Sequence, residues 1–384
     1  MICQHQQICG GCVHRSLPDD EYRRLKTDAL NKVLSTLSQS NIPMGEPVFI
    51  GDGVRRRATF AFKRQKGQVV LGFNRFHSSE IINIDNCSLL LPEINSLLSD
   101  LADLLTELCS VRLTQNFKKN KKSAIKTITQ GDVHICAASN GLDIVLEFDV
   151  EPNLEHKMII FEWAQKAGSV IRISHRRKAF GQSEPLIEKT KPQIVIGNCN
   201  VYIPAGTFLQ ASLIAEKALV DLVLKYLGDT KGKIADLFCG VGTFTYPLSA
   251  TKENKIIAVD SSHELLNGFR QSVNANMLSN VEILERNLFK NPLSGKELCG
   301  FSAIVFDPPR AGAEAQVKSI ADLRKEDLPA KIIAVSCNPH SFVKDAEILL
   351  NIGYEIAEIT LVDQFAYSNH SELVALFTLK NRCV

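Results

Sequence analysis

From about residue 212 onward, helix-patterned stretches alternate with short apolar runs, and this alternation limits the fold more than any other feature of the chain. The apolar runs are Ile234–Phe238, Ile256–Val259, Val281–Leu284, Ala303–Phe306 and Ile332–Val335. Strands separated by helices predict a doubly wound, mostly parallel sheet with helices on both faces. Ligands of such sheets bind beyond the carboxyl ends of the strands. The polar residues that end these runs are therefore the first candidates for chemistry.

The first run leads into Cys239-Gly240-Val241-Gly242-Thr243, and a helical pattern follows. Asp236, Gly240 and Gly242 form a D-x-x-x-G-x-G pattern, in which glycines allow a tight turn and close approach of a ligand to the backbone. The next run ends in Asp260, about twenty residues on, where a carboxylate can accept from both hydroxyls of a ribose. Asn287 closes the third strand region, where an adenine contact falls. NAD also fits a glycine turn with a spaced acid. The G-x-G-x-x-G fingerprint is incomplete, however, with Tyr246 and Pro247 near the place of a third glycine. That favours S-adenosylmethionine.

The fourth run ends in Asp307-Pro308-Pro309-Arg310-Ala311-Gly312 and the fifth in Ser336-Cys337-Asn338-Pro339. Two prolines remove two backbone donors and stiffen the exit from the strand; alone, they could simply terminate it. Cys337 stands at the lip of the sheet before a helix starting near His340. A buried small hydrophobe is the ordinary fate of cysteine, but beside a nucleotide-type turn and a DPPR loop a nucleophile fits better. A helix N-terminus favours the thiolate. Near the end, His370-Ser371-Glu372 precedes the apolar run Leu373–Leu379, which would pair in the same sheet.

The first half is different. A helix is expected from about Asp20 to Ser38, with Leu25, Ala29, Val33 and Leu37 as its apolar stripe. Arg57–Phe62 and Val69–Phe73 read as strands joined by a Lys66-Gly67 turn. Val133–Ala137 and Leu142–Phe148 flank Asn140-Gly141, a hairpin signal. Leu154–Ala167 reads as a helix and Val170–Ile173 as a strand. Basic clusters occur at Arg55, Arg56 and Arg57 with Lys63 and Arg64, at Lys118, Lys119, Lys121 and Lys122, and at His175, Arg176, Arg177 and Lys178. The net charge is only +2, so it is the grouping that points to a phosphate-binding surface. The expected division is a cysteine-bearing segment and linking helix (1–45), a mixed α+β domain (46–185) and the α/β domain (186–384).

Eleven cysteines are many for a reducing compartment, where clusters of them suggest metal or catalysis. The polar start MICQHQQICGGC is no signal peptide, and no apolar run nears the length that crosses a bilayer. A cytoplasmic protein without a membrane partner is expected; nothing points to a protein partner. Cys3, Cys9 and Cys12 have C-x5-C-x2-C spacing, and Cys87 lies in IDNCSLL. Four such thiolates can hold zinc or iron–sulfur, and the spacing does not decide between them.

Taken together, FLQ at 208–210, DLFCGVG at 236–242, DPPRAG at 307–312, SCNP at 336–339 and HSE at 370–372 make the chain resemble the RNA uracil-5-methyltransferases of 23S ribosomal RNA and the transfer-RNA T-loop. The resemblance spans nearly the whole chain. It implies a Rossmann-like S-adenosylmethionine-dependent domain, an RNA substrate, and an RNA-binding central domain carrying an N-terminal [4Fe-4S] site held by Cys3, Cys9, Cys12 and Cys87. Gln210, Phe238, Asp260 and Asp307 match the family's cofactor contacts, and Asn287 is a looser match. Only two residues precede Cys3, which leaves no room for the β-barrel of longer members; with the cluster cysteines, this favours the ribosomal branch. Thr243 stands where members often have a cofactor-contacting asparagine.

The resemblance also implies a mechanism. Cys337 adds to carbon 6 of the uracil, carbon 5 becomes nucleophilic and takes a methyl group, and Glu372 removes the carbon-5 proton. The base must leave its stack to reach the thiolate, at a cost of a few kcal/mol. Rival readings are a transfer-RNA enzyme, an amino-group methyltransferase that needs no thiol, and a non-catalytic metal-cluster RNA-binding protein.

Overall fold

The computed structural model describes residues 3–116, 123–177 and 181–380, and of these the side chains outside 113–125. Lys118, Lys119, Lys121, Lys122 and Lys178 of the basic clusters lie outside the described residues. The chain divides into two compact units. One comprises Met1–Ser16, Gly51–Ile194 and Ile203–Ser212, the other Leu17–Ile50, Val195–Tyr202 and Leu213–Val384.

The second unit is built on an eight-stranded sheet. Its spatial order is Val48–Phe49, Tyr354–Asp363, Glu372–Leu379, Lys331–Ser336, Phe301–Phe306, Lys233–Leu237, Lys255–Asp260 and Val281–Glu285. The last five are parallel, and Glu372–Leu379 is antiparallel to both neighbours. All five apolar runs are strands, to within two or three residues at each end. Successive side chains feed opposite cores. Ile332 and Ala334 face one cluster with Leu30, Leu34 and Phe342, while Ile333 and Val335 face the other with Leu219, Val223 and Leu248. Burial on both faces explains why the strands are apolar without a clean alternation. From Lys233–Leu237 the chain winds outward to Val281–Glu285, then crosses back to Phe301–Phe306. The sheet therefore reverses between Lys233–Leu237 and Phe301–Phe306, the place where such folds bind ligands.

The N-terminal helix runs Asp19–Leu34, and its buried face is Tyr22, Lys26, Leu30 and Leu34. The expected stripe is one position off: Ala29 is exposed, and Leu25 and Val33 are half-buried. Leu37 is buried but lies beyond the helix end. A lysine occupies the inner face because acceptors await it there, a fact that hydropathy cannot register.

The first unit carries a seven-stranded sheet in the order Glu184–Glu188, Val170–Arg176, Gly141–Glu147, Gln130–Ala138, Arg57–Gln65, Gln68–Asn74 and Ile81–Asn83. All its pairings are antiparallel except Gly141–Glu147 with Val170–Arg176, which the helix Leu154–Lys166 connects. That helix and the amphipathic Leu98–Leu108 supply Ile160, Ala164, Leu101 and Leu105 to the core. Lys66 and Gly67, at φ 50° and 93°, form the expected two-residue hairpin turn. The second hairpin turns one residue earlier than expected, at Ser139-Asn140, with Gly141 already paired to Ala138. The Asn140 side chain is drawn away instead, donating to Lys191 O at 2.9 Å and accepting from Gln193 N at 3.0 Å.

Much of the expected basic surface is structural. Arg56 is 1% exposed, with Nε donating to the Gln210 carbonyl at 3.0 Å. Arg64 donates to Cys109 O at 2.7 Å. His175 is buried against the Phe148 carbonyl, Arg176 pairs with Glu147, and Arg177 pairs with Glu151 at 2.7 Å. Among the described residues no helix is long and apolar enough to cross a membrane.

Candidate active site

Four strand ends and one strand start meet at a single edge of the eight-stranded sheet. Phe238, Asp260, Asp307 and Cys337 lie at the carboxyl ends of parallel strands, and Glu372 opens the antiparallel one. Lys331 pairs with Thr378 and Ser336 with Leu373. Cys337 and Glu372 each adjoin that last pair, and the charge of Glu372 reaches the Cys337 thiol.

At the glycine turn, Phe238 and Gly240 adopt left-handed backbone, at φ 60° and 55°. Such a conformation in a bulky residue marks an over-determined, functional turn. A side chain on Gly240 would meet nothing within 4 Å, so the glycine there serves its dihedral angle and leaves open space beside the backbone. Asp260 fastens this turn: Oδ2 accepts from Gly240 N at 3.0 Å and Oδ1 from Ser262 N at 2.9 Å. Each oxygen keeps a lone pair for a diol. Asp236, at the head of the pattern, is fully buried and accepts from Thr245 Oγ1; burial lifts its carboxyl to about 7, so it braces the turn from within. Asn287 is exposed, and its Oδ1 accepts from Phe289 N and Lys290 N, both at 3.1 Å. The Phe289 ring stands 5.4 Å from that of Phe238. The two rings, tilted 52° to one another beside an open turn, form an apolar wall; Phe289 was missed by sequence reading, an aromatic two residues after Asn287 being its signal.

The three catalytic-end motifs are tied together. Asn338 Nδ2 donates to Arg310 O at 2.9 Å, joining the SCNP turn to the DPPR loop. The Arg310 guanidinium lies 3.1 Å from His370 Nε2, joining that loop to HSE. Gly312, at φ 84°, leaves no room for a side chain: a Cβ would lie 2.9 Å from Asp345 Oδ2, which itself accepts from Ala313 N at 2.7 Å. The roles of Asn338, Arg310 and His370 as ties could not be read from spacing, because each partner belongs to a different motif.

A model described as tRNA (Uracil-5-)-methyltransferase matches residues 193–380. A protein of Brucella melitensis, named only as an RNA methyltransferase, is 35% identical over 377 residues, spanning 98% of this chain and 83% of its own. The 23S rRNA (uracil(1939)-C(5))-methyltransferase RlmD of Haemophilus influenzae is 28% identical over 98% of this chain and 82% of its own. The chain belongs to the RNA uracil-5-methyltransferase family. It is an RNA (uracil-5-)-methyltransferase. The same fold occurs in the crystal structure of Pyrococcus abyssi tRNA (uracil-54, C5)-methyltransferase with S-adenosyl-L-homocysteine. That match has a TM-score of 0.72 at 21% identity and covers 96% of this chain and 86% of the other. The open glycine turn, the Asp260 carboxylate and the Phe238–Phe289 wall can hold a diol and an apolar ring.

In this methyltransferase the Cys337 thiol is not activated at rest. It is half-buried, and its pKa is pushed up to about 11, first by burial and then by the charges of Glu372 and Asp307; Arg310 opposes them. The expected thiolate-favouring helix, Pro339–Asn351, is present but is outweighed. Burial sets the direction, and two carboxylates brought from distant motifs add to it. Like charge raises a thiol pKa, so removing one lowers it. Iodoacetamide should therefore label Cys337 faster in Glu372→Gln than in the unaltered protein at pH 8, read by peptide mass mapping. An unchanged rate would mean that Glu372 does not face the thiol.

Gln210 belongs to the first unit, where it is buried. The same unit holds Cys3, Cys9, Cys12 and Cys87. Each of the last three thiols is raised chiefly by burial and further by its neighbours: Cys12 by Cys87, Cys9 and Cys3, and Cys87 by Cys3 and Cys9. The four are thus gathered. Gly11 N–H points at Cys9 Sγ at 3.4 Å, and the Leu89 backbone bonds the Cys87 sulfur. Among the described residues, no group of three or more Cys, His, Asp or Glu is arranged to hold a metal ion. The unit also displays Phe208, 59% exposed, with the Arg57 guanidinium 4.0 Å from its ring centre.

Proposed function

We propose that this enzyme forms 5-methyluridine in 23S ribosomal RNA, with Cys337 as nucleophile and Glu372 as the base that removes the carbon-5 proton. The observation that supports the reading is that the charges of Glu372 and Asp307 both act on the Cys337 thiol, where Ser336 and Leu373 end their strand pairing. The Cys337 thiol gives its proton to water, the sulfur bonds to carbon 6, and the electron pair of the C5–C6 double bond moves to the ring carbonyl as an enolate. Carbon 5, now nucleophilic, takes a methyl group, which S-adenosylmethionine supplies as a sulfonium. Glu372 then accepts the carbon-5 proton; the electron pair of that C–H bond forms the ring double bond and expels the sulfur. Arg310 and the helix N-terminus offset part of the charge that builds on sulfur when it leaves. Phe238, Asp260, Asn287 and Asp307 are assigned to the cofactor.

Residues 46–185 are assigned to RNA binding. Phe208, from the 203–212 segment of the same compact unit, with Arg57 over its ring, supports this, because an aromatic ring backed by a guanidinium stacks nucleobases regardless of sequence. Cys3, Cys9, Cys12 and Cys87 are assigned a [4Fe-4S] cluster. A zinc ion, with Zn–S of about 2.3 Å, would draw its sulfurs to about 3.8 Å of one another. The four thiols share one another's field, and the N–H···S contact at Cys9 is of the kind that cluster sulfurs accept. A reducing cytoplasm suits both the free thiols and the RNA.

Anaerobically purified protein should contain about four iron and four sulfide per chain; stoichiometric zinc would overturn the cluster. Mass mapping of 5-methyluridine in RNA from cells with and without the protein should show one site lost from 23S ribosomal RNA. Loss from transfer RNA instead would overturn the target and keep the chemistry.

A further inference from the structure

The helix Asp19–Leu34 buries a lysine, and the residues that lysine grips lead directly to Glu372. Lys26 is 2% exposed. A buried ammonium is costly unless it is paired and hydrogen-bonded. Lys26 Nζ meets three acceptors: Asp363 Oδ1 at 2.9 Å, Ser368 O at 3.1 Å and His370 O. One turn earlier on the same face, the Tyr22 hydroxyl donates to Asp363 Oδ2 and accepts from Tyr367 N at 2.7 Å. The Tyr22 and Tyr367 rings pack 5.1 Å apart.

Every one of these partners lies in 363–370, the connection between the strands Tyr354–Asp363 and Glu372–Leu379. Internally this connection is held by short turns, such as Ser368 N to Phe365 O at 3.1 Å and His370 N to Ser368 Oγ at 3.1 Å. It also contains Tyr367 at φ 61°, a left-handed backbone that a bulky residue adopts only under outside constraint. The constraint comes from the helix, since the N–H of Tyr367 itself is the one Tyr22 captures. The grip ends at the His370 carbonyl, two residues before Glu372, while the His370 ring meets Arg310 of the DPPR loop.

We propose that Lys26, with Tyr22 and Asp363, is a positioning group for Glu372. The helix fixes the 363–370 connection so that the carboxylate stands at the height where the carbon-5 proton leaves. Replaced together by well-packed apolar groups, Lys26 and Asp363 would leave the helix face as well satisfied, since such groups often match a buried ion pair in stability. Only a cation with three donors can hold a carboxylate and two carbonyls of one loop together, which gives the lysine a functional reason to be there. The inference rests on Glu372 acting as the base.

The test compares Lys26→Met and Tyr22→Phe with Glu372→Gln, each in the full chain with its RNA. Displacing a reacting group by about 1 Å costs about 100-fold, so Lys26→Met should lower kcat by about 10- to 100-fold. Its KM for the cofactor should be unchanged, and the covalent RNA–protein adduct should persist on denaturing gels, as it does when proton removal is slow. Tyr22→Phe, which removes one oxygen atom, should move the same readouts less and decides the matter if Lys26→Met fails to fold. Adducts as short-lived as in the unaltered enzyme, in variants that fold, would overturn the proposal, as would a fall in kcat with no adduct, which marks a purely structural lysine. Should Glu372→Gln itself trap nothing, the assignment of the base falls first, separately from Lys26.

Discussion

Cys337→Ala should abolish methylation while leaving cofactor binding intact. Carbon 5 of uracil is a poor nucleophile until a thiolate at carbon 6 turns the ring into an enolate, and alanine has nothing to add there. Removing the nucleophile of an enzyme that works through a covalent intermediate costs on the order of a million-fold in rate. The expected result is therefore methyl transfer below detection. The groups assigned to the cofactor are untouched: Asp260 still fastens the glycine turn through Gly240, and the Phe238–Phe289 wall remains. Cofactor affinity by calorimetry should be that of the unaltered protein. Cys337 is half-buried at a strand end, so its truncation leaves no large cavity and should cost little stability. Turnover of labelled methyl groups into RNA by this variant would remove Cys337 from the chemistry and favour an amino-group methyltransferase, which needs no thiol.

Glu372→Gln should trap the enzyme on its substrate. Glutamine keeps the shape of the side chain at a site 2% exposed but cannot accept the carbon-5 proton at a useful rate. Addition and methyl transfer still proceed, since neither needs that base. Elimination slows by about 10²- to 10⁴-fold, the usual worth of a placed general base. A methylated adduct joined through the Cys337 sulfur should then run as a slower band on a denaturing gel, appearing only with both RNA and S-adenosylmethionine present. The absence of any such band, with turnover retained, would place the base elsewhere at the sheet edge.

The legible part of this protein was its local chemistry. Asp236, Gly240 and Gly242 announced a strand-to-helix turn because a tight turn needs backbone that glycine alone adopts cheaply. DPPRAG and SCNP announced strand ends, and HSE a strand start, because prolines and polar residues bound an apolar strand. The illegible parts share one cause. Arg56 reads as one of a basic run, yet it is buried on the Gln210 carbonyl. Lys26 reads as an outward residue, yet it is an inward one. Asn140 reads as the centre of a hairpin turn, yet its amide ties down 191–193. In each case the deciding partner is remote in the chain, and hydropathy assigns a polar residue to solvent when no partner is in view.

The same division runs through the site. Sequence alone determined which residue types stand at which strand ends, because strand, turn and helix propensities are local. The fold alone decided that an antiparallel strand returns beside Lys331–Ser336 in the register that sets Glu372 against Cys337. It also decided that the thiol, expected to be eased toward ionisation by a helix, is held protonated by burial and two carboxylates. Field and burial act through space, and no spacing along a chain encodes them.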